Sequence, residues 1–148
     1  MHTRPIEDRD VEHVLTIQWA SPEIAQWTLR DYSRVAAGEM RGWVAEENAT
    51  VIGFLVARRV LSDLEILNLA VRPDTRRCGV GALLVREVLA WGKTIGAEKV
   101  LLEVRASNLA ALHFYECHGF RATGRRPRYY ASPIEDALLL TATIEIRT

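Results

Sequence analysis

Arg76, Arg77, Cys78, Gly79, Val80 and Gly81 stand between a run of branched apolar residues and a run with helical spacing. Glycines at such a junction leave the first N–H groups of a helix unobstructed, and those amides favour phosphate. Arg72, Arg76 and Arg77 add positive charge, so a pyrophosphate suits the loop. The competing reading is that the glycines only let the helix pack closely on a sheet. No Lys follows the second glycine, so this is not a Walker loop, and the three-glycine dinucleotide fingerprint is absent. Glu103 interrupts the apolar run 100–104, where an unpaired carboxylate is costly. Strand alternation puts Arg105 on its face, so Glu103 is either half of an ion pair with Arg105 or a working carboxylate. Asn108 can cap a helix, and Tyr115 lies two helical turns further along the same face. An isolated Tyr there otherwise reads as a core residue beside Leu112.

His113 and His118 read as surface residues of that helix, and Cys117 as packing. Arg121, Arg125, Arg126 and Arg128 precede Tyr129 and Tyr130, a mixture that can bind nucleic acid. Nineteen basic residues balance nineteen acidic ones, however, and the stretch reads as a solvated loop. The same balance argues against nucleic-acid or membrane partners.

These residues need a frame. Asp8 or Asp10 can cap a first helix whose narrow apolar side carries Val11, Val14, Leu15 and Gln18. Thr28 with Asp31 forms a capping box for a second helix, stopped near Gly38. Runs 43–45, 51–60 and 64–71 predict three strands in an antiparallel meander. Val80, Leu83, Leu84, Val88 and Trp91 predict a helix ended near Gly96, followed by a strand over 100–104 and a helix from Asn108 to Gly119. A last strand spans 138–146, with one more strand possible before it. The strand-helix-strand passage across 65–104 implies a parallel pair, hence a mixed α/β sheet. The 148 residues suit one domain over 1–148. Two cysteines without zinc spacing, and a charged start, predict a cytoplasmic protein without metal.

The motifs together resemble the GNAT superfamily of acetyl-CoA-dependent N-acetyltransferases, and within it the RimI group, which acetylates ribosomal-protein alanine. The likeness rests on Asn68-Leu69-Ala70-Val71 with Pro73, the loop 76–81, the run 102–108, Phe114-Tyr115 before Gly119-Phe120, and Tyr129-Tyr130 with Glu135-Asp136-Ala137. It covers about residues 51–140. The resemblance implies a GNAT fold with helices on both sheet faces and a splayed strand pair admitting the coenzyme arm. Backbone groups of Leu69, Ala70 and Val71 would face the thioester and arm, residues 77–82 through Ala82 would hold the pyrophosphate, and Asn108 would bond the arm. Glu103 becomes the general base, acting through water, with Glu65 as its rival, and Tyr115 the acid that protonates the departing thiolate. Direct transfer leaves Cys78 without a covalent role. Tyr129 and Tyr130 would grip the acceptor, a peptide or protein N-terminus, a ribosomal protein among the candidates. The alternatives are a small-molecule amine or lysine as acceptor, or a coenzyme A binding module without turnover; monomer and homodimer both stay open. The group's usual Phe-Pro-Trp-Ser between the first two helices is Ala25-Gln26-Trp27-Thr28 here, and its Met near the Glu-Asp-Ala motif is Leu140.

Overall fold

The computed structural model describes residues 1–144. Its mixed α/β architecture is a seven-stranded sheet ordered β1-β2-β3-β4-β5-β7-β6. Strand β1 (His2–Pro5) precedes a 3-10 turn at Asp8–Asp10, helix α1 (Val11–Trp19) and helix α2 (Leu29–Ala36). The meander follows as β2 (Arg41–Glu47), β3 (Thr50–Val60) and β4 (Asp63–Val71). Then come α3 (Val80–Thr94), β5 (Lys99–Arg105), α4 (Leu109–Glu116) and the hairpin β6 (Arg121–Ala131) and β7 (Ile134–Thr143).

The local signals work as their chemistry dictates. The Thr28 hydroxyl accepts from the Asp31 N–H while the Asp31 carboxylate accepts from the Thr28 N–H. Asn108 accepts from the Ala111 N–H at 3.2 Å and so starts α4. Gly38, Gly96 and Gly119 follow their helices at positive φ.

Four expectations differ. Neither Asp8 nor Asp10 caps α1: the Asp10 carboxylate accepts from the Glu7 N–H and pairs with Arg4 at 2.7 Å. Strand β1 escaped the sequence pattern because it is short and polar; it pairs with β2 from His2↔Glu46 to Pro5↔Trp43. Residues 121–131 form a strand, because β7 offers them a ladder that local propensity does not reveal. The last strand begins at Ile134, and the part of its expected span beyond residue 144 lies outside the described residues.

Helices cover both sheet faces. Val80, Leu84, Val85 and Val88 of α3 pack with Leu55, Leu64, Leu102 and Tyr115 on one side. Val11, Val14 and Leu15 of α1 and Tyr32 and Val35 of α2 pack on Phe54, Val56 and Ala70 on the other. The β3–β4 register shifts so that Val56 faces Asn68 while Ala57 faces Ile66, leaving Leu67 as an inserted residue. Beyond that bulge Leu69 and Val71 pack toward the α3 core, whereas before it Leu64 and Ile66 do. Strands β4 and β5 run parallel yet share only two registered pairs, Leu64↔Val100 and Glu65↔Leu101. Past these pairs the sheet is split.

Candidate active site

The split opens into a cleft of about 1140 Å³, whose walls include residues 65–71 of β4, residues 102–105 of β5, the loop before α3, one side of α4 and residues 21–26. A strand edge with an unpaired stretch of amides and carbonyls invites an extended partner. Both edges of this split are of that kind from Ile66 and Leu102 onward.

At one end lies the loop before α3. Arg77 has φ +65° and Gly79 φ +84°, so the chain winds left-handed just before the helix. A Cβ on Gly79 would meet no atom within 4 Å, so open space adjoins the turn. At Gly81 a Cβ would lie 3.0 Å from two ring carbons of Phe114, so this glycine serves close packing, against α4 and not against the sheet. The arginines do not act together. Arg72 is tied to Asp74 at 2.6 Å, and Arg76 turns to Ser21 Oγ at 2.9 Å. The Arg77 guanidinium makes no hydrogen bond or ion pair among the described residues. Cys78 is exposed, its Sγ 3.6 Å from the Arg76 carbonyl oxygen, and it does not line the cleft. Val80 is buried in the core, and Ala82 lines the cleft. Asn108 also lines it, with Oδ1 committed to the cap and its amide N–H groups left to donate.

At the middle of the cleft two titratable groups arrive from opposite faces of the sheet. Leu102 and Val104 point into the α3 core, so Glu103 between them points to the other face. Tyr115 comes from the α3 side, 8% exposed, packed against Phe114 and Phe120. Burial pushes its phenol well above the ordinary tyrosine range, and its hydroxyl makes no hydrogen bond among the described residues. Glu103 does not pair with Arg105. Its Oε1 is held by Arg126 at 3.0 Å, reached across the hairpin that the sequence alone reads as a loop.

Arg105 clasps the hairpin tip instead. It pairs with Glu135 at 3.3 Å, donates to the carbonyls of Ser132 and Pro133, and lies over the Tyr130 ring at 4.2 Å. Hydrogen bonding toward Glu103, then its charge, pushes the Tyr129 phenol up; burial, then the Glu103 charge, does the same to Tyr130. The β6–β7 register slips between Arg126 and Tyr130, which lifts Tyr129 out of the ladder. Glu65 reaches this mouth too, paired with Arg58 at 3.2 Å. His113 and His118 line the cleft, His113 Nε2 lying 3.7 Å from Cys117 Sγ and the His118 ring 4.6 Å from that of Phe114.

Behind the wall of residues 21–26 lie polar residues to which sequence reasoning gave no role. Asn68 is 4% exposed, and its amide donates at 3.0 Å to the Ala25 carbonyl and at 3.0 Å to the Tyr32 hydroxyl. The Tyr32 hydroxyl in turn donates to Gln18 Oε1, and Gln18 grips the backbone of Trp27 on both sides, at 2.8 and 2.9 Å. The available signal was the polar residue itself: Asn68 inside an apolar run, and Gln18 on the apolar stripe of a helix. Among the described residues no three His, Cys, Asp or Glu side chains gather to hold a metal ion, and no helix is long and apolar enough to cross a membrane.

Residues 8–120 match the model of the Acetyltransferase (GNAT) family. Over 137 residues, covering 91% of this chain and 90% of the relative, the sequence is 31% identical to a Bacillus subtilis (strain 168) protein provisionally named ribosomal protein bS18-alanine N-acetyltransferase. The crystal structure of the ribosomal-protein-S18-alanine N-acetyltransferase from Escherichia coli superimposes with a TM-score of 0.86 at 26% identity, covering 99% of this chain and 95% of that one. Arabidopsis thaliana NAA60 in complex with acetyl-CoA shares the fold, with a TM-score of 0.86 at 23% identity over 96% of this chain and 97% of its own.

Proposed function

The chain belongs to the GNAT acetyltransferase family, and from that premise we propose that it acetylates the α-amine of a protein N-terminus with acetyl-CoA, an N-terminal alanine of a ribosomal protein being the expected acceptor. One observation carries the reading: a cleft through the split sheet with an open, left-handed amide turn at one end and Glu103 and Tyr115 facing it from opposite sides. The donor set fits the coenzyme. Backbone N–H groups around Gly79 and the Arg77 guanidinium would hold the pyrophosphate, and the edge of Leu69, Ala70 and Val71 would pair with the pantetheine arm. Asn108 would donate its amide N–H to that arm. The bound coenzyme supplies an acyl thioester, already activated toward an amine.

The chain's own groups do the rest. Glu103 takes a proton from the ammonium through water, and Arg126 holds Oε1 of that carboxylate in place. An α-amine titrates near 8 and a lysine near 10.4, so an N-terminus asks less of this base at neutral pH. Tyr115 enters the reaction protonated because burial disfavours its phenolate. The thiolate of a thiol that titrates near 8.5 is a weaker base than that phenolate, so Tyr115 stabilises the developing thiolate as a hydrogen-bond donor. Tyr129 and Tyr130 flank the acceptor mouth, Tyr130 stiffened by Arg105. The α-amine reading is supported by the relatives named as acetylating a ribosomal-protein alanine, and the hairpin and residues 21–26 line the cleft where such an acceptor would enter.

Thiol release across a peptide panel tests this. A peptide beginning with alanine should be acetylated, and the same peptide with a blocked N-terminus and an internal lysine should not. Equal kcat/KM on the blocked peptide or on a free polyamine would refute the N-terminal reading and keep the acetyltransferase one.

A further inference from the structure

Arg76 holds the place in the loop where a phosphate-binding cation is expected, but its side chain is engaged elsewhere. Nη2 donates to Ser21 Oγ at 2.9 Å and lies 3.5 Å from the Ala20 carbonyl oxygen, while Nε donates to the Val71 carbonyl at 3.3 Å. Ser21 is 1% exposed and organises the turn after α1: its N–H donates to the Gln18 carbonyl, and its own carbonyl accepts from the Ile24 N–H and the Gln26 side chain. The far end of this segment is fixed by buried neutral groups, Asn68 on Ala25 and Gln18 on Trp27. The near end, beyond the hydrogen bonds of its own turn, is tied to the rest of the fold by one guanidinium from the loop before α3. Its donors are spread over three protein acceptors, Ser21 Oγ and the Ala20 and Val71 carbonyls.

We propose that Arg76 is a positioning residue for the acceptor wall and not a ligand of the coenzyme phosphates: by holding Ser21 it seats residues 21–26 against β4 and thereby sets the affinity for the amine. This rests on the acetyl-transfer reading of the cleft. The charge-assisted bond to a buried hydroxyl gives the wall its fixed end, and it joins the segment leading into α3 to the acceptor side through a single side chain. Arg77, without a protein partner among the described residues, is left as the cation of the phosphate end.

The test uses Arg76→Gln, Arg76→Lys, Ser21→Ala and the Arg76→Gln/Ser21→Ala double variant of the full chain. Three readouts are taken: acetyl-CoA Kd by calorimetry, acceptor KM by thiol release with the amine that the wild-type protein accepts best, and amide hydrogen exchange over residues 20–27. Each single variant should raise acceptor KM by about three- to tenfold, speed exchange in that segment, and leave acetyl-CoA Kd within about twofold; the double should be no worse than the worse single, as for two halves of one contact. Arg76→Lys keeps the charge but loses the fork, so it should behave like Arg76→Gln. Acetyl-CoA binding weakened about tenfold in Arg76→Gln but not in Ser21→Ala, with rescue by Lys, would put the guanidinium on the phosphates and overturn the proposal, as would unchanged exchange in both singles. If the wild-type protein acetylates no amine offered, the functional reading fails, while Kd and exchange still decide the role of Arg76.

Discussion

Replacing Gly79 by Val separates the phosphate-loop reading from mere helix packing. At φ +84° an L-residue costs about 1–2 kcal/mol, and no clash adds to it because a Cβ meets nothing within 4 Å. For a chain of 148 residues about 1 kcal/mol moves Tm by roughly 2–4 °C, so the ligand-free variant should melt about 2–8 °C lower. Acetyl-CoA at about 100 times its Kd adds about 2.7 kcal/mol to the wild-type protein, a rise of roughly 5–11 °C. The valine would fill the open space beside the turn before α3. Losing two charge-assisted bonds of at least about 1.5 kcal/mol each weakens binding more than about a hundredfold. The same ligand concentration then adds less than about 0.4 kcal/mol, roughly 2 °C at most. Gly81→Ala is the control: its Cβ presses on Phe114 at 3.0 Å, which costs about 1–3 kcal/mol, yet it should keep most of the ligand shift. Melting curves with and without acetyl-CoA decide, and a full shift in Gly79→Val would refute the reasoning.

Glu103→Gln should lower kcat at neutral pH by about a hundredfold and lose less above pH 8, where an α-amine deprotonates unaided; a larger loss in Glu65→Gln across the same pH–rate profile would transfer the base role to Glu65. Tyr115→Phe should slow thiol release by about tenfold or more with acetyl-CoA Kd nearly unchanged, measured by stopped-flow and calorimetry, since only the hydroxyl is lost from a packed ring. Burial pushes the Asp10 carboxyl up, but hydrogen bonds from Arg4 and the Glu7 N–H, with nearby positive charge, outweigh it and leave Asp10 below the ordinary range. Its contribution to stability is therefore present above about pH 4 and lost as pH falls through the lowered value, and acid denaturation of Asp10→Asn should show a shallower slope there.

By itself the sequence determined what depends on neighbours along the chain. The capping box of Thr28 and Asp31, the Asn108 cap, the glycines after α2, α3 and α4 and the apolar periodicity of residues 64–71 and 80–91 are local chemistry, and the folded chain has them as read. The motifs around Gly79, Glu103 and Tyr115 were legible for the same reason, as polar or glycine residues breaking an apolar pattern. Partners distant in sequence were not. Strand alternation offered Arg105 to Glu103, but Arg126 takes it, because the β6–β7 hairpin folds back beside β5, and Arg105 is drawn off to Glu135. Charge counting put three arginines at the phosphate loop, while two of them reach carboxylate or hydroxyl acceptors and only the tertiary fold says which. The edge strands β1 and β6 carry little apolar signal, since one or both of their faces meet water; the ladder of β1 comes from remote β2, and that of β6 from the neighbouring strand of its hairpin. The split between β4 and β5 is the clearest case: each strand reads as continuous, and the gap exists because a bulge at Leu67 turns one of them away after two pairs.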